Sequence, residues 1–586
     1  MTTRAYPETT GQQVERGWRF GWVDALVVLA VFALLWLVIA LSGDMRVRFD
    51  ELHAPPLSLD LDRIPYYTAR TVLRMFIAFG AALLFTFVYG YIAAKSRRAR
   101  KVMLPLLDIL QSVPVLGFLS ITVTGFLTLF PGNLLGVECA SIFAIFTAQA
   151  WNMTFGFYHS LVTIPAELQE AASVYKLNRW QRFTRLELPS SVIGLMWNSM
   201  MSFGGGWFFV AQSEAISVLN KNIKLPGLGS YMAAAVEAGD TRAAVCAIAA
   251  MILSIVVIDQ LLWRPLVAWA EKFKLEQTEG QDNPSSWVLD LLQRSYVLAW
   301  LSEHVGGALG RVSERTSTLS EDFTQTLTSR TPEPVKTLLR YSMWGLTAAI
   351  IVWLVFDAIG IAKEIKTDMT GAEMLHVVWL GVLTLLRVAA MTVIATLIWT
   401  PIGVWIGLRP RVARIAQPLA QIAASFPVNM TFPFMVAFFI SAHIPIDAGS
   451  VLLMALGTQW YILFNVIAGA MAIPTDLQEA AALFGLSRWR LWKTLIIPAI
   501  FPFWVTGALT ATGGAWNASI VAEVASWGQD KLVADGLGAY IAQVTQKGDQ
   551  PAIYFSIMVM AVFVVVINRV FWRRLYDLAE RRFRLD

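Results

Sequence analysis

The sequence is poor in charge: only 15% of its 586 residues are Asp, Glu, Lys or Arg, whereas 56% are hydrophobic. A soluble domain usually carries about a quarter charged residues, so the deficit indicates that most of the chain lies in lipid. The net charge of +5 is small, and the basic residues form short clusters between apolar runs. This pattern is typical of loops that follow the positive-inside rule, and it argues against nucleic acid as a partner.

Residues that carry chemistry are also scarce. The two cysteines, Cys139 and Cys246, lie in apolar stretches and are interpreted as small buried hydrophobic residues rather than a disulfide or metal site. The five histidines are scattered, and the sequence has no G-x-x-x-x-G-K-[ST], H-E-x-x-H or C-x-x-C motif. We therefore expect no catalytic residue, metal or cofactor in this chain, and any energy for its function must come from a partner or an ion gradient.

Twelve apolar segments follow one another along the chain, six in each half. A helix needs about 20 apolar residues to cross a bilayer. The candidate segments are 22–41, 71–94, 105–130, 134–158, 191–218, 244–270, 342–361, 380–408, 418–440, 449–471, 498–521 and 552–572. No cleavable signal is evident, so we expect the first segment to be retained. The basic clusters place both termini in the cytoplasm.

A polar stretch at 164–189, IPAELQEAASVYKLNRWQRFTRLELP, recurs at 473–498 as IPTDLQEAAALFGLSRWRLWKTLIIP. About half of the aligned positions are identical, which identifies an internal duplication. The match continues beyond this stretch. It pairs Thr71 and Arg74 with Thr384 and Arg387, Pro114 with Pro427, Trp151 with Trp460, Glu214 with Glu523, Gly227-Leu228-Gly229 with Gly536-Leu537-Gly538, and Gly239-Asp240 with Gly548-Asp549.

These observations predict an all-α polytopic membrane protein. It has about twelve transmembrane helices in two parallel six-helix repeats, which are related by a pseudo-two-fold axis along the membrane normal. The predicted units are a first domain at 1–271, a polar cytoplasmic linker at 272–337 and a second domain at 338–586. The linker segment 286–309 is amphipathic; it is either a helix on the inner membrane surface or part of a partly ordered linker.

The two repeated polar stretches are predicted to contain short cytoplasmic helices, near 165–176 and 474–485. Such a helix can dock in a groove on a soluble subunit; the alternative is an interfacial helix without a partner, but two matched copies favour docking. Gly485 allows a left-handed cap after the second helix. The matching residue is Lys176, for which that conformation costs roughly 1 kcal/mol or more, so the first helix is expected to continue or to cap differently.

The motif Glu170-Ala171-Ala172…Leu188-Pro189, repeated as Glu479-Ala480-Ala481…Gly485…Pro498, resembles the cytoplasmic signature of ABC importer permeases. The stretches Gly205-Gly206-Trp207 and Gly514-Ala515-Trp516, with the Gly-Leu-Gly that follows each, resemble the nitrate/sulfonate/taurine-type group. The resemblance implies a type I ABC importer fold with two fused permease domains in a bacterial inner membrane. It also implies two ATPase subunits that hold ATP and Mg²⁺, and an extracytoplasmic substrate-binding protein. The implied cargo is a small anion such as nitrate, sulfonate, taurine or bicarbonate.

Two sets of candidate site residues follow. The residues assigned to ATPase coupling are Glu167, Glu170, Ala171, Ala172, Tyr175, Lys176, Arg179, Asp476, Glu479, Ala480, Ala481, Phe484, Gly485 and Arg488. Polar or aromatic residues in apolar helices tend to face a cavity or another helix, and those assigned to the translocation path are Gln111, Ser112, Gln149, Asn152, Asn198, Trp207, Gln212, Glu214, Ser425, Asn429, Gln459, Trp516, Asn517 and Glu523.

Several alternatives stay open at this point. For Glu214 and Glu523 a structural or gating role is favoured over ligand binding, because carboxylates that face the path repel an anion. Trp207 and Trp516 either line the path or face lipid and neighbouring helices. The chain itself is either an ABC permease, an ion-coupled secondary transporter with parallel repeats or a membrane scaffold. Few titratable residues at mid-membrane argue against the second.

Overall fold

The computed structural model describes residues 21–45, 47, 57–218, 221–273, 286–298, 300, 333–527 and 530–582, and these are helical apart from two short β-hairpins. In the first half the elements are α1 (Trp22–Asp44), α2 (Leu61–Lys95), α3 (Arg97–Ser112), α4 (Val115–Leu129), α5 (Leu135–Val162), α6 (Ala166–Val174), α7 (Leu188–Glu214), β1 (Ala215–Val218), β2 (Lys221–Lys224), α8 (Leu228–Ala238) and α9 (Thr241–Ala270). Helix α10 (Trp287–Gln293) lies in the linker.

The second half repeats this order. Its elements are α11 (Glu333–Asp368), α12 (Gly371–Gly407), α13 (Pro410–Ser425), α14 (Phe432–Ser441), α15 (Ile446–Met471), α16 (Thr475–Leu483), α17 (Ile497–Ala522), β3 (Val524–Trp527), β4 (Asp530–Val533), α18 (Leu537–Lys547) and α19 (Gln550–Ala579). Helix α11 begins before the predicted domain boundary at 338. The predicted domain boundaries stay a prediction.

Seven helices of the described chain are long and apolar enough to cross a membrane, namely α1, α2, α9, α12, α15, α17 and α19. Helices α13 and α14, bent by 73° at the break between them, form an eighth span if they are taken together. Helices α5 and α7 contain 28 and 27 residues but are less apolar than these spans. Serine, glycine and amide residues interrupt the apolar runs of α5 and α7. The arrangement of twelve helices in two six-helix repeats therefore stays a prediction.

Each Gly-Asp pair of the duplication makes the same helix-to-helix turn. Gly239 and Gly548 end α8 and α18 in the left-handed conformation, with φ of 67° and 75°, which glycine adopts without steric cost. The following aspartates cap α9 and α19: Asp240 Oδ1 accepts from the Ala243 N–H at 3.0 Å, and Asp549 Oδ1 accepts at 3.3 Å from Ala552.

The third apolar segment of each half is a broken helix. In the first half α3 ends at Ser112 and α4 begins after Pro114. In the second half Pro427 lies in the break between α13 and the short 3₁₀ turn that leads into α14. Proline has no N–H and disfavours the helical conformation of the residue before it, which explains the break at these positions.

These broken helices cross over between the halves. Helix α4 of the first half packs on α17 of the second, and α13 of the second half packs on α7 of the first. The hairpins do the same, since β1 contacts α18 and β3 contacts α8. Equivalent surfaces therefore meet in both directions, which is the pattern expected across a two-fold axis.

The described part of the linker contacts the first helix of the chain. Ser286 caps α10 by accepting from the Leu289 N–H at 3.3 Å. Beyond α10, the Ser295 hydroxyl and the Val297 N–H both donate to Asp24 Oδ1, at 2.8 and 2.9 Å. This segment is therefore anchored to the start of α1. The rest of the predicted amphipathic segment, from residue 301, lies outside the described residues.

Candidate coupling helices and translocation path

Helices α6 and α16 occupy matching positions, each between two long helices. Each begins directly after a proline, which is suited to the start of a helix, and each carries a glutamine that bonds back to the preceding turn. Gln169 Nε2 donates to the Ile164 carbonyl at 2.9 Å, and Gln478 Nε2 donates to the Ile473 carbonyl at 3.1 Å. These two equivalent bonds tie each helix to the segment that enters it.

Both helices end in the same left-handed cap, so the expectation that Lys176 would change the first cap is wrong. Lys176 has φ of 50° and Gly485 has φ of 59°. The Lys176 N–H donates to the Ser173 carbonyl at 3.0 Å, and the Leu177 N–H donates to the Ala172 carbonyl at 3.0 Å. This pair of bonds is the Schellman motif. Its hydrogen bonds and the chain reversal outweigh the steric cost of a lysine side chain.

The coupling residues divide by exposure. Ala172 and Ala481 are buried against their own halves, and Ala480 is partly buried. The Arg488 side chain lies outside the described residues. The remaining assigned side chains are exposed: Glu167, Glu170, Ala171, Tyr175, Lys176, Arg179, Asp476, Glu479, Phe484 and Gly485. Tyr175 and Phe484 are 79% and 82% exposed, so each helix presents an aromatic ring together with carboxylates.

The two helices differ in how they are held. In the first half Arg182 Nη2 donates to Gln169 Oε1 at 3.2 Å and Arg182 Nε lies 3.3 Å from Glu187 Oε1. Glu187 also accepts from Lys95, at the end of α2. The aligned residues of the second half are Leu491, Ile496 and Leu408. A polar link therefore joins α6 to α2, whereas apolar residues occupy these positions in the second half.

A buried charge cluster holds the first half together. Glu138, on α5, accepts from Arg70 Nη2 at 2.5 Å and from Arg74 Nε at 2.6 Å, both on α2. Arg74 Nη1 also donates to Glu214 Oε1, at the end of α7, at 2.7 Å. All four side chains are fully buried. A buried ion is tolerated only when it is paired and hydrogen-bonded, and here each arginine meets a carboxylate.

The second half contains a reduced form of this cluster. Arg387 Nη1 donates to Glu523 Oε1 at 3.0 Å, and Arg387 Nη2 donates to Asp447. Asp447 aligns with Glu138, but its side chain is 58% exposed. Position 383, which aligns with Arg70, is a leucine. The second cluster therefore has one arginine, and one of its two carboxylates is in contact with solvent.

The Gly-Leu-Gly motif closes each cluster. In the first half, Glu214 Oε1 accepts from the Thr71 hydroxyl at 2.6 Å. Glu214 Oε2 accepts from the Gly229 N–H, at the start of α8, at 2.7 Å. A Cβ at Gly229 would collide with the Ala211 carbonyl, and a Cβ at Gly227 would collide with the Glu214 carboxylate. Glycine is therefore required for the start of α8 to approach the carboxylate.

Four residues assigned to the path lie elsewhere. Glu214 and Glu523 are fully buried and bond within their own halves, which fits the structural or gating role favoured from the sequence over ligand binding. Trp207 is 2% exposed and packs edge-on against Phe203 in the first half. Trp516 is 1% exposed and stacks on Phe563 in the second half. Both indoles are core residues.

Four other candidates do lie where the halves meet. Asn429 Nδ2 donates across the contact to Gln212 Oε1 at 3.2 Å, and Asn517 Oδ1 accepts from the Val115 N–H at the start of α4, at 2.8 Å. Asn517 and Ser425 line a cavity of about 100 Å³ between the halves. Gln212 and Asn429 line a second cavity of about 280 Å³.

The remaining path candidates pack within a half or face outward. Gln149 is fully buried in the first half beside Gly206. Asn198 Nδ2 donates to the Gly194 carbonyl at 2.8 Å, and Gln459 Oε1 accepts from Trp399 Nε1 at 2.8 Å. Gln111 and Asn152 are exposed on the described surface, the latter donating to Ser202 at 3.3 Å. The side chain of Ser112 lies outside the described residues.

Sequence reasoning missed the arginines and the acidic residues at 138 and 447. The repeated pairs Thr71–Arg74 and Thr384–Arg387 were the available signal, because an arginine in an apolar helix requires a counter-charge. Glu214 and Glu523 were the carboxylates available for that role. These groups lie far apart along the chain, so the sequence alone does not show which arginine pairs with which carboxylate.

The comparisons with known proteins agree with this architecture. The family model for the binding-protein-dependent transport system inner membrane component matches residues 86–262 and 399–585. The chain belongs to this family. It is therefore an ABC transporter permease, a multi-pass inner-membrane component with two permease domains that is not itself the ATPase. Each matched region contains one of the two candidate coupling helices, α6 or α16.

The permease resembles curated relatives at low identity. It is 24% identical over 238 residues to the bicarbonate transport system permease protein CmpB of Synechococcus elongatus, which covers 38% of this chain and 81% of the relative. It is 23% identical over 190 residues to the nitrate import permease protein NrtB of Leptolyngbya laminosa, covering 32% and 64%. It is 28% identical over 116 residues to the diacetylchitobiose uptake system permease protein NgcG of Streptomyces coelicolor, covering 20% and 38%.

Proposed function

We propose that this permease forms the substrate path of an ATP-driven importer and works by alternating access between its two halves. Two ATPase subunits, which hold ATP and Mg²⁺, bind α6 and α16 from the cytoplasm. An extracytoplasmic binding protein delivers the cargo to the opposite face, in line with the family description. The observation that carries the proposal is the pair of identically capped helices whose aromatic and acidic side chains are exposed.

The proposed architecture has twelve spans in two parallel repeats about a pseudo-two-fold axis along the membrane normal, with both termini in the cytoplasm. Its support is the reciprocal packing of α4 on α17 and of α13 on α7. The same axis would bring α6 and α16 to one side of the membrane, as two ATPase subunits require. The basic clusters at 95–101 and 409–414 place that side in the cytoplasm.

A small anion such as nitrate, sulfonate, taurine or bicarbonate is one hypothesis for the cargo. Its support is the printed substrates of CmpB and NrtB. The carboxylates of Glu214 and Glu523 no longer oppose it, because both are paired with arginines inside their own halves. The relative NgcG, however, is named for an uncharged sugar, so the relatives do not agree on the charge of the cargo.

The proposal is tested by reversing charge on both coupling helices. Glu170→Lys together with Glu479→Lys places two cations where the exposed carboxylates stood, so we expect loss of co-purification with the ATPase and of ATP-driven uptake. The matched control is Asp290→Lys, on the exposed side of the linker helix α10, which should retain both. Retained ATPase binding and uptake in the double variant would refute the docking role.

Two further outcomes separate the rival functions. Uptake that follows an imposed ion gradient and persists without ATP would favour a secondary transporter. Association with ATPase subunits but no uptake of any solute would favour a scaffold. Coupled uptake that depends on both ATP and the binding protein supports the importer.

A further inference from the structure

The two cavities between the halves lie one after the other along α7 and α17. The inner cavity is lined by Gly205 and Phe208 of α7, and the outer one by Gln212, one turn further along the same helix. On the facing helix α17, Asn517 lines the inner cavity and Val521 the outer one, in the same order. Both helices thus pass from one cavity to the next.

Amide side chains separate and frame these cavities. Gln212 and Asn429 meet through their amides at 3.2 Å, and Asn429 Oδ1 is buried without a hydrogen-bond partner. Asn517, from the second half, is bonded to the Val115 N–H at the break of the first-half helix. An amide offers both donors and an acceptor, and a buried acceptor without a partner is unfavourable until a donor reaches it.

The described lining of the inner cavity has no ionisable acid or base other than a tyrosine. It consists of small residues, amides and the aromatic rings of Phe208, Trp460 and Tyr461, among others. The charged residues of the outer lining are Lys224 and Glu237, which are paired at 2.5 Å. The buried arginines of each half are held by their own carboxylates. An ion that enters these two cavities would therefore lose its water without meeting a free counter-charge, which is costly inside a membrane protein.

We infer that the cargo of this permease is an uncharged polar solute rather than a small anion. The amides of Gln212, Asn429 and Asn517 replace its hydrogen bonds to water, and the rings of Trp460 and Tyr461 cover its apolar face. This inference rests on the proposed import function. It concerns only the class of solute, so it can fail while that function stands.

The test uses the permease assembled with its ATPase and binding-protein subunits in lipid nanodiscs. A small-solute extract of spent growth medium is separated on anion- and cation-exchange resins into anionic, cationic and unbound fractions, and nitrate and bicarbonate are added singly. We expect ATP hydrolysis to be stimulated by the unbound fraction alone. Stimulation by either bound fraction, or by nitrate or bicarbonate, would overturn the inference. If nothing stimulates hydrolysis above its basal rate, the import function itself fails.

Isosteric variants then test whether the solute that stimulates ATP hydrolysis passes through these two cavities. Gln212→Glu and Asn517→Asp place a carboxylate beside the path, so each should lower the stimulated rate at least about tenfold. The matched control is Gln546→Glu, on the exposed side of α18 and outside the linings of both cavities; the rate should change less than about twofold. Equal effects of all three variants would refute the assignment of the route.

Discussion

The acidic partners of the two arginine clusters should differ greatly in their contribution to stability, although they align in the duplication. Glu138→Gln removes the charge that faces both Arg70 and Arg74, at 2.5 and 2.6 Å, in a site with no exposure. Arg74 keeps Glu214, but Arg70 keeps only neutral partners such as the Leu41 carbonyl, at 2.8 Å. Removing one partner of a buried pair costs about 3–5 kcal/mol, because the other charge is left uncompensated.

The aligned change Asp447→Asn should cost much less. Its carboxylate is 58% exposed, and exposed pairs contribute about 0–1 kcal/mol. Thermal unfolding of the detergent-purified permease, followed at one scan rate, compares the two variants. At about 2–4 °C per kcal/mol for a domain of this size, Glu138→Gln should lower Tm by roughly 6–20 °C and Asp447→Asn by only a few degrees.

A second substitution makes this prediction sharper. Arg70→Leu introduces the residue found at the aligned position of the second half, Leu383. It also removes the positive charge that Glu138→Gln leaves without a counter-charge. The double variant should therefore be more stable than Glu138→Gln alone, and measuring the Arg70→Leu single variant as well completes the cycle that gives the coupling energy of the pair. Equal Tm losses for the Glu138 and Asp447 variants, or no rescue by Arg70→Leu, would contradict the burial argument.

Three further predictions follow from the caps and turns. Lys176→Gly removes a strained left-handed lysine and should stabilise the permease by about 1 kcal/mol, whereas Gly485→Lys should destabilise it by a similar amount, with both read as Tm shifts. Gly229→Ala should destabilise the fold strongly, since its Cβ would meet the Ala211 carbonyl; a normal Tm would refute the close approach. Asp24→Ala removes the acceptor of two linker bonds and should raise proteolytic cleavage near residue 295 without loss of the folded halves.

Local features of the fold were predictable from the sequence. The breaks at Pro114 and Pro427 follow from the chemistry of proline, and the Gly-Asp turns follow from the need for positive φ and a capping acceptor. The coupling helices were found because a polar helix repeated between apolar segments is conspicuous. The cap at Lys176 was not predicted, because propensity gives the cost of the conformation and not the tertiary contacts that enforce it.

Long-range contacts were not predictable in the same way. The tryptophans at 207 and 516 had the same sequence context as path residues, yet helix rotation places both in the cores of their own halves. Conversely, Gln212 and Asn429 come from different halves, and only the crossing of the broken helices brings them together. Register and rotation decide which face of a helix is buried, and a single sequence with mixed apolar and small residues leaves them undetermined.

The interactions within a half and those between the halves differ in strength, and this difference predicts which parts of the permease move. In the first half the carboxylate cluster joins α2, α5, α7 and α8, and removing one buried partner costs about 3–5 kcal/mol. The contacts between the halves include the neutral bonds Asn429–Gln212 and Val115–Asn517, each contributing about 0.5–1.5 kcal/mol. These polar bonds are therefore cheaper to rearrange than the charge cluster inside a half, while buried apolar residues of α4 such as Val115 and Leu119 also pack against the second half. Each half should rock as one body, and a force applied at α6 or α16 should reach the amides that separate the two cavities.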